Sequence, residues 1–137
     1  MAVKPTLMTA EQLLQLPDDG MRHELIRGEL TTMPPAGFDH GRVTRKIASP
    51  LGDYAEMHRL GEVVVGDTGF TLAHDPDTVR TPDVAFVRAE RLAEVESLRC
   101  YFAGAPDLAI EVISPNDRYT EVDQRSPTGW STARGWC

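Results

Sequence analysis

Apolar residues recur at helical spacing in three parts of the chain. Near the N-terminus, Thr9 and Gln12 form a capping-box pattern, with Met8 and Leu13 placed as the flanking apolar pair, so a short helix is predicted there. The turn-forming segment Pro-Asp-Asp-Gly at 17–20 ends this helix.

A longer amphipathic stretch predicts the main helix, over residues 39–60. Asp39 is suited to cap its first turn. Apolar side chains then fall on one helical face, at Val43, Ile47, Leu51, Tyr54 and Met57. Pro50 removes one backbone hydrogen bond, so we expect a kink at that point and a continuing helix.

Short apolar and β-branched runs predict the strands. Residues 23–26 and 29–33 are expected to form a hairpin through Arg27 and Gly28, where glycine supplies the positive φ of a tight turn. Further strands are predicted at 62–65, 69–73, 82–87 and 107–113, with a short crossover helix over 90–98. Strands interleaved with helices predict an α/β or α+β fold.

Length and composition fit one folded domain followed by an irregular tail. A chain of 137 residues with 41% apolar residues can bury a core without a disulfide or metal. No apolar run approaches the roughly 18 residues of a membrane helix, and no secretory signal is visible, so we expect a cytoplasmic protein. The end of the chain lacks strand or helix periodicity. We predict a domain over 1–125 and a tail over 126–137, produced by truncation or a change of reading frame.

The charge balance argues against a nonspecific nucleic-acid binder. The chain has 14 Lys and Arg against 21 Asp and Glu, a net charge of −7, whereas such binders carry an excess of basic residues. An enzyme that acts on nucleic acid is still compatible with this balance, because metal-binding acids contribute to the total. The two cysteines, Cys100 and Cys137, have no histidines at metal-ligand spacing.

Two carboxylates stand out by their positions in predicted strands. Asp83 follows Pro82 at the start of one strand, and Glu111 interrupts the apolar run 108–113 of another. On adjacent strands the two would lie side by side and raise each other's pKa unless a divalent cation lay between them. Mg²⁺ suits such a pair, because it takes hard oxygen ligands and needs only one or two carboxylates, and it supports phosphodiester hydrolysis.

Other interpretations of these two acids remain open. On an edge strand Glu111 would point into water, and an aspartate after proline is an ordinary way to begin a strand. A glycosidase would use paired carboxylates as acid and base without a metal, so metal dependence distinguishes it from a nuclease.

The order of several short motifs resembles the Uma-two family, a group of endonuclease-like proteins in the PD-(D/E)xK restriction-endonuclease-like superfamily. The matching stretches are Glu24–Leu30, Met33–Pro35, His40–Arg42, Pro82–Val87 and Gly104–Pro115. The resemblance covers about residues 9–125.

This resemblance implies a mixed β-sheet flanked by helices and a Mg²⁺-dependent or Mn²⁺-dependent enzyme that cleaves DNA. It implies Asp83 and Glu111 as metal ligands, with the backbone carbonyl of Val112 or Ile113 completing the shell and Glu24 as an additional acid. We expect DNA as the partner, no membrane association, and allow for a homodimer.

The sequence departs from the family pattern at the catalytic lysine. The superfamily places a lysine two positions after the second acid, where this chain has Ile113, and the family moves it to a position near Arg125. Arginine carries charge but cannot act as a base. The only lysines are Lys4 and Lys46, so the alternative is a catalytically inactive interaction domain or fragment of the same fold.

Basic residues on the main helix are weaker candidates. Arg42, Arg45 and Lys46 lie away from its apolar stripe and could contact a phosphate backbone, although a solvated face is the plainer interpretation. His40, near the start of this helix, could assist a metal or substrate or could be an ordinary polar residue.

Overall fold

The computed structural model describes residue 4 and residues 6–113 of the chain. It contains three helices among these residues: α1 (Ala10–Leu14), α2 (Phe38–Met57) and α3 (Ala89–Glu94). The strands are β1 (Arg22–Ile26), β2 (Glu29–Met33), β3 (Gly61–Val65), β4 (Phe70–Ala73), β5 (Thr78–Arg80), β6 (Val84–Arg88), β7 (Phe102–Ala103) and β8 (Leu108–Ile110). None of the helices in this part of the chain has the length and apolar character needed to cross a bilayer.

The strands form two sheets. The larger has the order β2-β1-β5-β4-β7, with β4 and β7 parallel and the other neighbours antiparallel. The smaller has the order β3-β6-β8 and is antiparallel throughout. The single mixed sheet expected from the resemblance is therefore divided into two in the described residues, within a mixed α+β fold.

Local sequence signals account for the first helix and the hairpin. Thr9 and Gln12 make the reciprocal capping-box hydrogen bonds of α1. Arg27 and Gly28 both have positive φ, 51° and 79°, as a two-residue hairpin turn with the right twist requires. A Cβ at Gly28 would lie 2.9 Å from the Cβ of Leu7, so glycine is needed there for space as well as for conformation.

Helix α2 is continuous through Pro50 and begins slightly earlier than predicted. Gly37 is its N-cap and makes no side-chain capping hydrogen bond, while Asp39 lies inside the first turn. The predicted cap at Asp39 was therefore wrong by two positions. An acidic side chain in the first turn still interacts favourably with the helix dipole.

Two buried apolar clusters lie between these elements. One contains Leu13, Leu25 and Val79, so it joins α1 to the centre of the larger sheet. The other contains Phe70, Ala85, Val87 and Phe102, and it joins the two sheets. Strand β6 is thus packed against the larger sheet through Ala85 and Val87.

The strands and their connections differ from the predicted pattern in three respects. Strands β5 and β7 were not predicted, and both are very short. Strands β6 and β8 are neighbours, as expected, but they are antiparallel, whereas a crossover helix between adjacent strands normally makes them parallel. Helix α3 ends at Glu94, before the predicted limit at residue 98.

Candidate active site

The antiparallel register of β6 and β8 brings Asp83 and Glu111 opposite each other. It pairs Val84 with Ile110, and the two acids occupy the next positions beyond this pair. Asp83 is buried, with 4% of its surface exposed, and Glu111 is half-buried. The two carboxyl groups that the sequence singled out are therefore neighbours.

Burial, together with the proximity of Asp83, raises the pKa of Glu111 from 4.5 to about 8. Burial is the largest cause, followed by the charge of Asp83 and a hydrogen bond between the two carboxyl groups. Glu24 adds a smaller repulsion, and Arg80 opposes the rise. Without a cation, the Asp83–Glu111 pair thus keeps a proton near neutral pH.

Asp83 is oriented by contacts from three different elements. Its Oδ2 accepts a hydrogen bond of 2.7 Å from the backbone N–H of Val112 and lies 3.2 Å from Nε2 of His40. Its Oδ1 lies 3.6 Å from Nη1 of Arg22. The contact that Val112 makes with Asp83 thus comes from its backbone N–H, whereas the family resemblance implies a metal contact through its carbonyl.

Glu24 lies in a different environment, in which its charge is compensated. Its Oε2 is 3.1 Å from Nε of Arg80, and the Arg80 side chain is completely buried. Its Oε1 accepts hydrogen bonds from the backbone N–H of Thr81, at 2.8 Å, and from the Thr81 hydroxyl, at 3.2 Å. Glu24 therefore anchors the segment that leads directly into Asp83.

A cleft of about 390 Å³ opens beside Asp83. Strand β1, helix α2 and the β3–β4 connection contribute to its walls, including Arg22, His40, Arg45 and Asp67. Arg42 is not among the lining residues, and its guanidinium pairs with Asp39 at 2.6 Å. The predicted basic patch of α2 is thus divided, because only Arg45 of its three members lines the cleft.

The donor set at this point fits a hard divalent cation. Within residues 6–113, no group of three His, Cys, Asp or Glu side chains is arranged to enclose a metal ion. Mg²⁺ commonly uses one or two carboxylates and keeps several waters, so the pair Asp83 and Glu111 could hold it. A cation would also replace the proton that the two carboxyl groups otherwise share.

Sequence reasoning missed the arginines and the threonine around these acids. Arg22 is two residues before Glu24 in β1, so both side chains project from the same side of the strand, and this spacing could have revealed Arg22. Arg80 and Thr81 immediately precede Pro82, and no spacing pattern in the sequence indicated that they lie beside these acids. Arg125 lies outside the described residues, so its predicted role remains a prediction.

Comparisons with known proteins gave a family match and a similar solved structure. The profile of the Uma2 family, described as "Putative restriction endonuclease", matches residues 10–127. A crystal structure of a "putative nuclease belonging to DUF820" from Anabaena variabilis ATCC 29413 is similar, with a TM-score of 0.68 and 22% sequence identity. The aligned region covers 86% of this chain and 65% of that chain. A search of curated proteins gave no match.

These findings confirm the family resemblance and the fold class expected from the sequence. At 22% identity, the structural likeness shows the fold alone. This chain spans 65% of the length of the similar structure, so the activity of that whole protein does not transfer directly.

Proposed function

We propose that this chain, which belongs to the Uma2 family, is a metal-dependent endonuclease that hydrolyses phosphodiester bonds in DNA. The observation that carries the proposal is the opposition of Asp83 and Glu111 at the ends of neighbouring strands. We assign these two carboxylates as ligands of Mg²⁺ or Mn²⁺. A nuclease fold in which Asp83, one member of the carboxylate pair, lines an open cleft is a suitable arrangement for this chemistry.

The electrostatics of the pair support a cation and argue against the glycosidase alternative. A glycosidase acid and base need separate access to opposite sides of the bond that breaks, and their carboxyl groups are ordinarily about 5 Å or more apart. Asp83 and Glu111 instead share a hydrogen bond. When bound, a divalent cation stabilises the charge that develops on the phosphodiester.

Residues around the pair hold Asp83 in place. The N–H of Val112 and the ring of His40 both contact Oδ2, which leaves Oδ1 as the oxygen without a hydrogen bond from either. Glu24 fixes Thr81, two residues before Asp83, through two hydrogen bonds. We propose that Glu24 is a positioning residue and that the carbonyl of Val112 remains a candidate third ligand.

The absence of the lysine that the family resemblance implies should lower the rate of cleavage. Arg125, which stands near the family's lysine position, could supply positive charge but cannot release a proton as a base at neutral pH. We therefore propose metal binding with slow cleavage. The same observation favours the second candidate function, a catalytically inactive interaction domain that keeps the two acids.

Nicking of supercoiled plasmid tests the proposal. We expect slow nicking that requires Mg²⁺ or Mn²⁺ and that Glu111→Gln abolishes. Glu62→Gln, which changes an exposed glutamate of the same small sheet, is the matched control and should not alter the rate. Nicking that persists in Glu111→Gln would contradict the assignment, and metal binding without any nicking would favour the inactive domain.

A further inference from the structure

Two arginines line one cleft of an acidic chain. The chain carries a net charge of −7, yet Arg22 and Arg45 both line the cleft beside Asp83. The acidic side chains in its wall are Asp67 and Asp83. A cation held by Asp83 would leave this cleft positive, which is the charge that a phosphate backbone requires.

Arg22 is held at the wall of this cleft by two fixed contacts. Its Nε is 3.1 Å from Oδ1 of Asp67, and its Nη2 donates a hydrogen bond of 3.1 Å to the carbonyl of Thr81. Its Nη1 lies 3.6 Å from Oδ1 of Asp83, which is beyond hydrogen-bond length but within strong electrostatic reach. The guanidinium is thus pre-organised next to the carboxylate assigned to the metal.

Arg45 enters the same cleft from helix α2. Its side chain is exposed, and within residues 6–113 it makes no ion pair, in contrast to Arg42 on the preceding turn. Residues in and just before the first turn of α2 also line the cleft, namely Ala36, His40 and Gly41.

We propose that Arg22 and Arg45 hold consecutive backbone phosphates of one DNA strand in this cleft. Arg22 contacts the phosphate that is cleaved, beside Asp83, and Arg45 contacts its neighbour. In this arrangement Arg22 of β1 would supply positive charge beside Asp83, the carboxylate assigned to the metal. This inference rests on the proposed function, because it assigns the substrate contacts of the same site.

The test measures the binding of a fluorescein-labelled DNA duplex by anisotropy, with Ca²⁺ as the divalent cation, over a series of salt concentrations. Each phosphate contact that is lost reduces the slope of log Kd against log salt by about 0.9. We expect this loss in Arg45→Gln and again in Arg22→Gln. Arg42→Gln is the matched control, because Arg42 is on the same helix but is paired with Asp39 outside the cleft.

A conservative variant separates charge from folding at Arg22, whose contacts also support the structure. Arg22→Lys should restore most of the slope that Arg22→Gln loses, and both variants are first checked for a wild-type circular dichroism spectrum. Equal slopes in Arg42→Gln and Arg45→Gln would overturn the inference. Undetectable duplex binding by the wild-type chain would overturn it as well.

The failure of this inference can be distinguished from failure of the proposed function. Salt-dependent binding through Arg22 and Arg45 without any nicking would sustain the phosphate contacts and contradict the endonuclease activity. Metal-dependent nicking that Arg22→Gln and Arg45→Gln leave unchanged would sustain the activity and contradict the phosphate contacts.

Discussion

Glu24 and Glu111 are both removed from bulk water, but their surroundings are opposite in charge. Glu24 faces the buried guanidinium of Arg80 and accepts two hydrogen bonds from Thr81. Glu111 faces a second carboxyl group, that of Asp83, and its pKa rises to about 8. The same residue type is therefore compensated by an adjacent arginine at one position, whereas at the other it faces a carboxyl group whose repulsion Arg80 only partly offsets.

This difference distinguishes a residue that stabilises the fold, Glu24, from the carboxylate pair that we propose binds a ligand. A buried carboxylate that pairs with an arginine and accepts hydrogen bonds does not require a proton or a cation from solution. Glu24 therefore stabilises the segment around Thr81. A carboxylate opposite another carboxylate is satisfied only by a proton or a cation. We therefore attribute ligand binding to Asp83 and Glu111, and positioning to Glu24.

The largest effect on stability should come from breaking the compensated pair. Arg80→Met leaves Glu24 buried without its partner, and the loss of one member of a buried pair costs about 3–5 kcal/mol. We expect the free energy of unfolding, measured by urea titration, to fall by that amount.

An exposed ion pair provides the control for this measurement. Arg88→Met removes one partner of Asp107, but Arg91 still lies 3.2 Å from the same carboxylate. Its cost should stay below about 1 kcal/mol. Equal costs for Arg80→Met and Arg88→Met would show that Glu24 is not held in the way described.

The uncompensated pair should make stability depend on pH. The pKa of Glu111 is raised in the folded chain from 4.5 to about 8, so its contribution is complete below pH 4.5 and is lost as the pH rises through about 8. We expect the metal-free protein to lose stability across this window relative to Glu111→Gln. Urea titrations of both proteins in a chelating buffer measure the difference.

Saturating Mg²⁺ provides a further test of this pH dependence, because a bound cation stabilises the deprotonated Asp83–Glu111 pair. The loss of stability toward high pH should then shrink in the wild type and remain unchanged in Glu111→Gln. Identical pH profiles for the two metal-free proteins would contradict the raised pKa of Glu111.

The smallest effect is expected at the hydroxyl of Thr81. Thr81→Val removes the 3.2 Å hydrogen bond to Glu24 and keeps the backbone bond, so we expect a loss of about 1.5 kcal/mol in unfolding free energy. In a Glu24→Gln background the acceptor is no longer charged, and the same substitution should cost less. An undiminished cost in that background would show that Thr81 acts through packing.

The parts of the fold set by neighbouring residues could be predicted from the sequence. The capping box at Thr9 and the turn at Arg27 and Gly28 depend on contacts within a few positions, and both are present. Strand β5, by contrast, has three residues and ends in the fully buried Arg80. A buried arginine contradicts ordinary strand patterning, and its ion pair with the distant Glu24 helps to explain it.

The candidate site also has some features that local sequence predicts and others that depend on distant residues. The carboxylate at Asp83 and the one at Glu111 were visible as acids at unusual places in apolar strands, and the structure brings them together. The antiparallel register that opposes them is a long-range property, and so are the contacts of Arg22 and His40 with Asp83. Such contacts leave little trace in local patterns.

The central claim, that Asp83 and Glu111 form a divalent cation site, is tested most directly by calorimetric titration of Mn²⁺ near neutral pH. We predict saturable binding whose heat varies with the ionisation enthalpy of the buffer, because the cation displaces the proton held by the pair. Glu62→Gln should bind like the wild type, and Asp83→Asn/Glu111→Gln should not bind. Equal affinity in the wild type and the double variant would contradict the claim.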